Sequence, residues 1–293
     1  MMKMIGQNSL NRKYAIAGIL FVAPAFIYYL AIFFYPLLSA VYSSFFKVNI
    51  LANQYTFVGL KNYVETISSQ DFQHSVKVTF LYIGMFIPII MITTIALSIF
   101  VTQFPSRISG FFIVLFILPF ISANVTAGMI WNFILDPVLG IVNNLTGSSL
   151  KWFRGADTAL FSVVIVGLWL RIGFDVLILV GSIRGIPPEV YEASKLDGAH
   201  GLKQFFYITY PLINPTVVLV LTLEVIRSFR VFGEIMSTTG GGPGGATKSL
   251  MIYLIKDVFP LSYGRASAVS ILLVFFMIVL SLLQRFLKKN VQY

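Results

Sequence analysis

Five charged side chains lie within or beside long apolar stretches of the sequence: Arg171, Asp175, Glu224, Arg227 and Arg230. A charge at the centre of a membrane helix costs about 2.5–3.5 kcal/mol on insertion scales, so it normally faces a partner, water or a ligand. Arg171 and Asp175 are i, i+4 neighbours, and Glu224 and Arg227 are i, i+3 neighbours, so local pairing is one interpretation. Arg230 could also extend its charged end to the membrane surface. The alternative is that at least one arginine points into a substrate path.

Residues for covalent catalysis or metal binding are scarce. The chain has no cysteine and only two histidines, His74 and His200. Disulfides, thiolate catalysis and Cys/His metal clusters are therefore excluded. His200 is expected in a solvated loop, and no second ligand accompanies His74 at useful spacing. A membrane-embedded enzyme would need clustered His, Asp or Glu, so we predict neither a catalytic nor a metal site.

A glycine cluster, Gly240-x-Gly242-x-x-Gly245, formally matches the dinucleotide-binding fingerprint. That fingerprint requires a preceding strand and a following helix in a βαβ unit, whereas an apolar span precedes the cluster here. The sequence also lacks the G-x-x-x-x-G-K-[ST] phosphate loop. We therefore expect no cofactor on this chain and interpret the cluster as an external turn.

The composition indicates a membrane protein. Of 293 residues, 57% are hydrophobic and 11% are charged, and the mean hydropathy is +0.86. A soluble domain would carry about 25% charged residues. The net charge of +10 is explained by loops that face the cytoplasm and anionic lipid, so no nucleic-acid partner is predicted.

Charge-poor stretches long enough to cross a bilayer predict six transmembrane helices. They lie at about 14–38, 78–102, 108–133, 159–183, 208–233 and 264–286. We expect an all-α polytopic membrane protein with an N-terminal tail (1–13) and a transmembrane domain (14–288). The first apolar stretch exceeds the roughly 7–15 residues of a signal-peptide core, so it is predicted to be retained. Lys and Arg are denser in the two tails (1–13 and 285–293) and in the loops 103–107 and 184–210 than in the other three loops. This distribution predicts that both termini lie in the cytoplasm.

The predicted cytoplasmic loop 184–210 carries the most specific pattern. Pro187 and Pro188 suit the start of a short helix, Glu189 favours its positive end, and Gly198 suits its end. Small residues fall on one helical face: Val190, Ala193, Ser194 and Asp197. The loop either lies on lipid headgroups or presents a small-faced helix to a cytosolic partner.

This loop resembles the EAA motif of ABC importer permeases, Glu-Ala-Ala-x3-Gly-x9-Ile-x-Leu-Pro. The chain reads Glu192-Ala193-Ser194, then Gly198, then Ile208-x-Tyr210-Pro211, with Ser194 and Tyr210 replacing Ala and Leu. Flanking residues are similar to the carbohydrate-importer branch: Ile186-Pro187, Tyr191, Asp197-Gly198-Ala199 and Pro215. The resemblance extends from about residue 75 onward.

The resemblance implies the type I ABC importer permease fold and a non-enzymatic subunit of a sugar importer in a bacterial cytoplasmic membrane. The implied partners are a second homologous permease, two copies of an ATP-binding subunit that holds the ATP, and an extracytoplasmic solute-binding protein. Loops 47–77 and 239–247 would receive that protein. The residues implied in coupling to the ATPase are Glu192, Ala193, Ser194, Asp197, Gly198 and Ala199.

The same resemblance places substrate contacts on two spans, at Gly167, Leu170, Arg171, Phe174, Arg227, Ser228 and Val231. Maltose-type sites are neutral at these places, so the two arginines are a departure that suggests an anionic, uronate-type oligosaccharide. One alternative is an ABC permease for a polyol phosphate or another non-carbohydrate solute. Another is an ion-coupled secondary transporter, whose usual signature of broken helices in inverted repeats we do not find in the sequence.

Overall fold

The computed structural model describes the backbone of residues 2–49 and 54–289, and the side chains of 14–48 and 54–284. The α-helices are α1 (Met2–Tyr29), α2 (Tyr35–Ser44), α3 (Lys61–Ser68), α4 (Gln70–Thr102), α5 (Ser106–Ile121), α6 (Asn124–Ile134), α7 (Ile141–Thr146), α8 (Ala156–Arg184), α9 (Pro188–Leu196), α10 (Leu202–Gln204), α11 (Tyr210–Phe229), α12 (Gly233–Thr238), α13 (Leu250–Ile252) and α14 (Tyr263–Lys289). π-Helical turns occupy Leu30–Phe34, Phe205–Thr209 and Tyr253–Val258. The predicted helical fold class is confirmed, with the addition of a small hairpin of β1 (Phe46–Asn49) and β2 (Gln54–Phe57).

Within the described residues, five helices are long and apolar enough to cross a membrane. They are Tyr14–Ser44, Gln70–Thr102, Ala156–Arg184, Leu202–Phe229 and Tyr263–Gln284. A sixth span results if the bent pair α5 and α6 counts as one. The chain is therefore a polytopic membrane protein, as predicted, while the cytoplasmic placement of both termini stays a prediction.

The first of two compact units comprises Met1–Thr66 and Phe259–Leu272. Its hairpin is held by Asn62, whose Nδ2 donates hydrogen bonds to the backbone oxygens of Ser44 (2.8 Å) and Phe46 (3.0 Å). Gly264 passes directly against the Phe46 carbonyl, where a Cβ atom would collide with the oxygen. The hairpin is thus fixed to the helices that flank it.

The second unit, Ile67–Val258 with Leu273–Tyr293, is organised around α8. This helix packs against α4, α5 and α11. Its small and β-branched residues meet two fully buried aromatic side chains of α4, Tyr82 and Phe86. Gly167 allows this contact, because a Cβ atom there would lie 2.7 Å from the Tyr82 hydroxyl oxygen. The close contact with Tyr82 and Phe86 thus fixes the position of α8 against α4.

Gly173 sets the approach of α5 to α8, since a Cβ atom at this position would overlap the carbonyl group of Phe116. We expect Gly173→Ala to push the helices apart and to lower the free energy of unfolding by about 1–3 kcal/mol, as overpacking does. The matched control is Gly181→Ala on the same helix, where a Cβ atom meets nothing within 4 Å. Thermal unfolding of the purified protein in detergent compares the two, and equal midpoints would contradict the prediction.

The third predicted span, 108–133, is bent rather than continuous. Helices α5 and α6 meet at 101°. Ser122 and Ala123 adopt extended backbone conformations (ψ 148° and 138°), and the Ser122 hydroxyl donates to the carbonyl oxygen of Pro119 at 2.6 Å. Two consecutive extended residues redirect the chain, so that Asn124 starts α6 beside the site.

The fifth predicted span, 208–233, also ends early. Helix α11 stops at Phe229, and α12 begins at Gly233 after a short non-helical turn. Gly233 lies directly against Asn124. A Cβ atom added to the glycine would lie 2.8 Å from the Cβ atom of Asn124. On the far side of α12, the Asn132 amide donates to the carbonyl oxygen of Ser237 at 3.0 Å. The turn therefore carries the beginning of α12 back towards α8.

Candidate functional site

A cavity of about 380 Å³ lies among α5, α6, α8, α11 and α12. Its lining combines three arginines, one carboxylate, one amide, one glycine and two apolar side chains: Phe120, Asn124, Leu170, Arg171, Arg227, Arg230, Gly233 and Glu234. Cavities of roughly 300–1,000 Å³ that join apolar walls to a few convergent polar groups are typical of small-ligand sites. This cavity is therefore the candidate substrate site.

Three of the charges that line the cavity, Arg171, Arg227 and Glu234, form one largely buried network with Glu224. Arg171 Nη1 lies 3.4 Å from Glu224 Oε2, and Arg171 Nη2 lies 2.5 Å from Glu234 Oε1. The other oxygen of Glu224 accepts from Arg227 Nη1 at 2.7 Å. Glu224 thus bridges the two arginines. Charges taken out of water require such pairing, because an unpaired buried charge is strongly destabilising.

Aromatic rings hold the guanidinium groups in place. Phe120 and Phe174 stack with their centroids 4.7 Å apart, and the Arg227 guanidinium carbon lies 4.9 Å from the centre of the Phe174 ring. The Arg171 guanidinium carbon lies 5.0 Å from the centre of the Phe86 ring. Each such cation–π contact is worth about 0.5–2 kcal/mol. Both arginines are therefore held in place before a ligand arrives.

Four of the predicted substrate-binding residues gather at the cavity. Leu170, Arg171 and Arg227 line it, and Phe174 lies against Arg227 on the stacked pair with Phe120. Their contact with substrate remains a prediction. The structure shows that these four residues, on α8 and α11, lie close together around the cavity.

The other three predicted residues lie elsewhere. Gly167 packs against Tyr82 and Phe86, the Ser228 hydroxyl donates to the backbone oxygen of Glu224 at 2.7 Å, and Val231 is fully buried in the core. None of these three residues lines the cavity in this conformation. Their contact with substrate stays a prediction. The lining residues absent from the sequence-based set are Phe120, Asn124, Arg230, Gly233 and Glu234. Most of them lie beside the two helix breaks that apolar stretches alone do not reveal.

Only one of the two local ion pairs considered from the sequence exists in the structure. Glu224 does pair with Arg227, but Arg171 turns away from Asp175 to carboxylates on other helices. Asp175 is fully buried, and neither of its carboxylate oxygens has a hydrogen-bond partner among the described residues. A carboxylate without partners in this position destabilises the fold.

We therefore expect Asp175→Asn to leave the unfolding midpoint unchanged or to raise it, because the substitution replaces a buried carboxyl group without hydrogen-bond partners by a neutral group of the same shape. The contrasting variant is Glu224→Gln, which breaks the bridge between Arg171 and Arg227 and should lower the midpoint clearly. Thermal unfolding in detergent measures both. A similar loss of stability in the two variants would show that Asp175 has a stabilising partner after all.

The predicted coupling helix is α9, and Gly198 ends it as expected. Gly198 has φ +75°. Its N–H donates to the Lys195 carbonyl oxygen (3.1 Å), and the Ala199 N–H donates to that of Ser194 (2.8 Å). This is the Schellman pattern, in which the residue after the helix adopts the left-handed conformation that glycine favours.

The predicted coupling residues divide into two groups. Glu192, Ala193, Asp197 and Gly198 are exposed, whereas Ser194 and Ala199 are buried. Ser194 accepts a hydrogen bond from the Gln204 amide at 2.7 Å and so ties α9 to the following turn. Leu196, which is 90% exposed, adds an apolar side chain to the free face. The coupling role of this surface stays a prediction.

The glycine cluster forms an irregular turn after α12 rather than part of a βαβ unit. Gly240, Gly241, Gly244 and Gly245 have positive φ angles. Lys256 Nζ donates to the Gly240 oxygen at 2.9 Å, and His74 Nε2 hydrogen-bonds the Gly245 oxygen at 2.9 Å. Close by, the hydrogen bond to Asp257 raises the pKa of Lys248 above its ordinary value, so this lysine stays charged at neutral pH. The turn is thus tied to its surroundings by several polar contacts.

Comparison with known proteins assigns the family. Residues 74–293 match the family described as the binding-protein-dependent transport system inner membrane component. The permease protein UgpA of the sn-glycerol-3-phosphate transport system of Agrobacterium fabrum is 31% identical over 94% of this chain and 95% of its own length. The permease protein MalF of the trehalose/maltose transport system of Thermococcus litoralis is 30% identical over 96% of both.

A solved structure shares the fold. It is that of a bacterial ABC transporter involved in the import of the acidic polysaccharide alginate, with a TM-score of 0.82, 19% identity, and coverage of 98% of this chain and 99% of the other. The long matches to transport permeases exclude the alternative of an ion-coupled secondary transporter. The chain therefore belongs to the family of binding-protein-dependent inner membrane components, the non-enzymatic permease subunits of ABC importers.

Proposed function

We propose that this permease imports an anionic saccharide, most simply a uronate-type oligosaccharide, by alternating access. The observation that carries the proposal is the convergence of Arg171, Arg227 and Arg230 on one cavity beside the stacked Phe120 and Phe174. Guanidinium groups bind carboxylates through paired, charge-assisted hydrogen bonds. Aromatic faces offer apolar contact to sugar rings. A neutral saccharide would use the second feature and would not use the guanidinium groups for binding.

The relatives are compatible with this choice of cargo. The solved transporter of the same fold imports an acidic polysaccharide, but at 19% identity its cargo carries little weight by itself. Relatives with about 30% identity are named for a phosphate ester in one case and for neutral disaccharides in the other. The cavity of this chain, with its three arginines, is therefore the main support.

The proposed assembly pairs this chain with a second homologous permease and two copies of an ATP-binding subunit in the cytoplasmic membrane of a bacterium. The exposed face of α9, with Glu192 and Leu196, would dock on the ATP-binding subunit, which binds the ATP. An extracytoplasmic solute-binding protein would deliver the saccharide to the loops 47–77 and 239–247. The family description itself specifies dependence on a binding protein.

A polyol phosphate is the second candidate cargo. The sn-glycerol-3-phosphate permease among the relatives favours it, and arginines bind phosphate as readily as carboxylate. A small phosphate ester would leave the stacked phenyl rings without a sugar face to contact. An uptake assay with both kinds of compound separates the two candidates.

The proposal is tested by ATP-driven uptake of an acidic oligosaccharide into vesicles that contain the assembled transporter. Arg227→Gln should reduce uptake at least tenfold, because a hydrogen bond to a charged group contributes about 1.5–3 kcal/mol. Arg171 still pairs with Glu224 in this variant, which protects the fold. Lys151→Gln, at an exposed position, is the control and should not change uptake.

Undiminished uptake by the Arg227→Gln variant would overturn the assignment of the arginine to the acidic group. Uptake of glycerol phosphate by the wild type, without uptake of the oligosaccharide, would favour the second candidate.

A further inference from the structure

Glu234 binds Arg171 inside the cavity, in the position where an acidic substrate would bind this arginine. It lines the cavity, its side chain is 5% exposed, and its Oε1 lies 2.5 Å from Arg171 Nη2. Arg171 is itself 10% exposed and meets Glu224 with its other terminal nitrogen. Both terminal nitrogens of Arg171 are thus already engaged with carboxylates of the chain.

Carboxylates of the chain itself already balance the charge of Arg171. Arg171 and Arg227 are balanced by Glu224 and Glu234, with Glu224 shared between the two arginines. A further carboxylate in this cavity would lie close to Glu234, and like charges at short distance in a poorly solvated site repel strongly. An acidic group can form a paired contact with both terminal nitrogens of Arg171 only if one of the two internal carboxylates withdraws.

Glu234 is better placed to withdraw than Glu224. The Glu224 side chain is 0% exposed and binds an arginine with each oxygen. Its helix is also continuous over Tyr210–Phe229. Glu234 binds one arginine and faces the cavity from the first turn of α12, a helix of six residues that follows a non-helical turn. Of the two carboxylates, Glu234 therefore loses fewer contacts by moving.

Movement of Glu234 could shift α12 and the glycine turn that follows it. The helix that carries it leads directly into the glycine turn, where the Thr239 and Thr247 hydroxyls are 2.7 Å apart and Lys256 holds the Gly240 carbonyl. The other face of α12 is fixed to α6 through Ser237. A shift of α12 thus connects the cavity with the turn that the proposed function assigns to the solute-binding protein.

We propose that Glu234 is a specificity-determining residue: it occupies Arg171 while the cavity is empty, and the acidic group of the incoming saccharide displaces it. A neutral saccharide has no group that replaces Glu234 on Arg171, so it leaves the network closed. The inference rests on the proposed function, because it requires an acidic cargo. It assigns to Glu234 the rejection of neutral analogues, and to the arginines the binding of the acid.

The test uses the assembled transporter in vesicles and measures ATPase activity against the concentration of loaded solute-binding protein. Two cargoes are compared, an acidic oligosaccharide and its carboxyl-reduced neutral analogue. For the wild type we expect stimulation by the acidic compound alone. For Glu234→Gln we expect half-maximal stimulation at a concentration at least threefold lower, together with new stimulation by the neutral analogue. Asp157→Asn, which removes an exposed carboxylate in the first turn of α8 and outside the loops assigned to the binding protein, is the control and should behave as wild type.

The experiment distinguishes failure of the proposed role of Glu234 from failure of the proposed function. If the wild type responds to the acidic compound while Glu234→Gln rejects the neutral analogue and needs as much or more loaded binding protein, the role of Glu234 is wrong and the proposed function stands. If the wild type responds to the neutral compound alone, the proposed function fails and the role of Glu234 with it. If Glu234 were merely structural, Glu234→Gln would weaken the response to the acidic compound and create none to the neutral analogue, which is the opposite of the expected gain.

A second variant keeps the inference testable if Glu234→Gln does not assemble. Glu234→Asp retains the charge but draws the carboxylate back from Arg171 by one methylene. We expect a partial effect in the same direction, with half-maximal stimulation at a concentration about twofold lower. An unchanged or higher concentration in a correctly assembled Glu234→Asp transporter would overturn the proposal.

Discussion

Arg171→Ala should yield a permease that unfolds far more easily than the wild type and takes up no acidic saccharide. The substitution leaves Glu234 without its ionic partner and Glu224 with Arg227 alone. Removing one partner of a buried ion pair costs about 3–5 kcal/mol, because the remaining charge stays buried and uncompensated. Thermal unfolding in detergent and the yield of membrane-inserted protein measure the loss.

Two further variants separate stability from recognition. Arg107→Ala removes an exposed arginine near the start of α5 and should change the free energy of unfolding by no more than about 0.5 kcal/mol. The double variant Arg171→Gln with Glu234→Gln removes both charges of the pair and should recover much of the stability without recovering uptake. Transport of the acidic compound by the double variant at the wild-type rate would show that Arg171 has a structural role only.

Gly198→Leu should leave the permease folded and inserted but lower both ATPase association and uptake at least tenfold. Leucine at φ +75° is strained by about 1–2 kcal/mol, as is usual for L-residues in the left-handed region. A Cβ atom at this position meets nothing within 4 Å in the chain itself, so we expect the leucine side chain to project into the space where the ATP-binding subunit is proposed to dock. Co-purification of that subunit and uptake into vesicles measure the two losses.

Gly198→Asn distinguishes bulk from strain, because asparagine tolerates the left-handed conformation better than other residues with side chains. If close approach is what matters, this variant should keep the end of α9 intact and still weaken ATPase association. If Gly198→Leu associated with the ATPase normally and transported at the wild-type rate, the coupling role of α9 would be wrong.

The features that depend on local spacing could be predicted from the sequence. Apolar stretches indicated the membrane helices, and the spacing of Glu192, Gly198 and Pro211 indicated both the family and the short helix α9. Gly198 was predicted to end this helix because glycine readily adopts the left-handed conformation that terminates helices. These conclusions needed no knowledge of which helices touch.

The site could be predicted only in part, because its remaining features depend on packing between distant segments. The partners of Arg171 lie 53 and 63 residues away in the sequence, whereas the nearby Asp175 is not a partner. The breaks after Ile121 and Phe229 bring Asn124 and Glu234 to the cavity. A charge-free stretch runs through the first break, and apolar residues continue on both sides of the charged segment at the second, so composition predicted one continuous span at each place.

ATP-driven uptake by the wild-type transporter, with its second permease, ATP-binding subunits and solute-binding protein, tests the central claim most directly. The vesicles are offered an acidic oligosaccharide and its carboxyl-reduced analogue side by side, each loaded on the binding protein. We expect accumulation of the acidic compound and no accumulation of the neutral one above vesicles without ATP. Accumulation of the neutral analogue at an equal or higher rate would contradict the assignment of the arginine-lined cavity to an anionic saccharide.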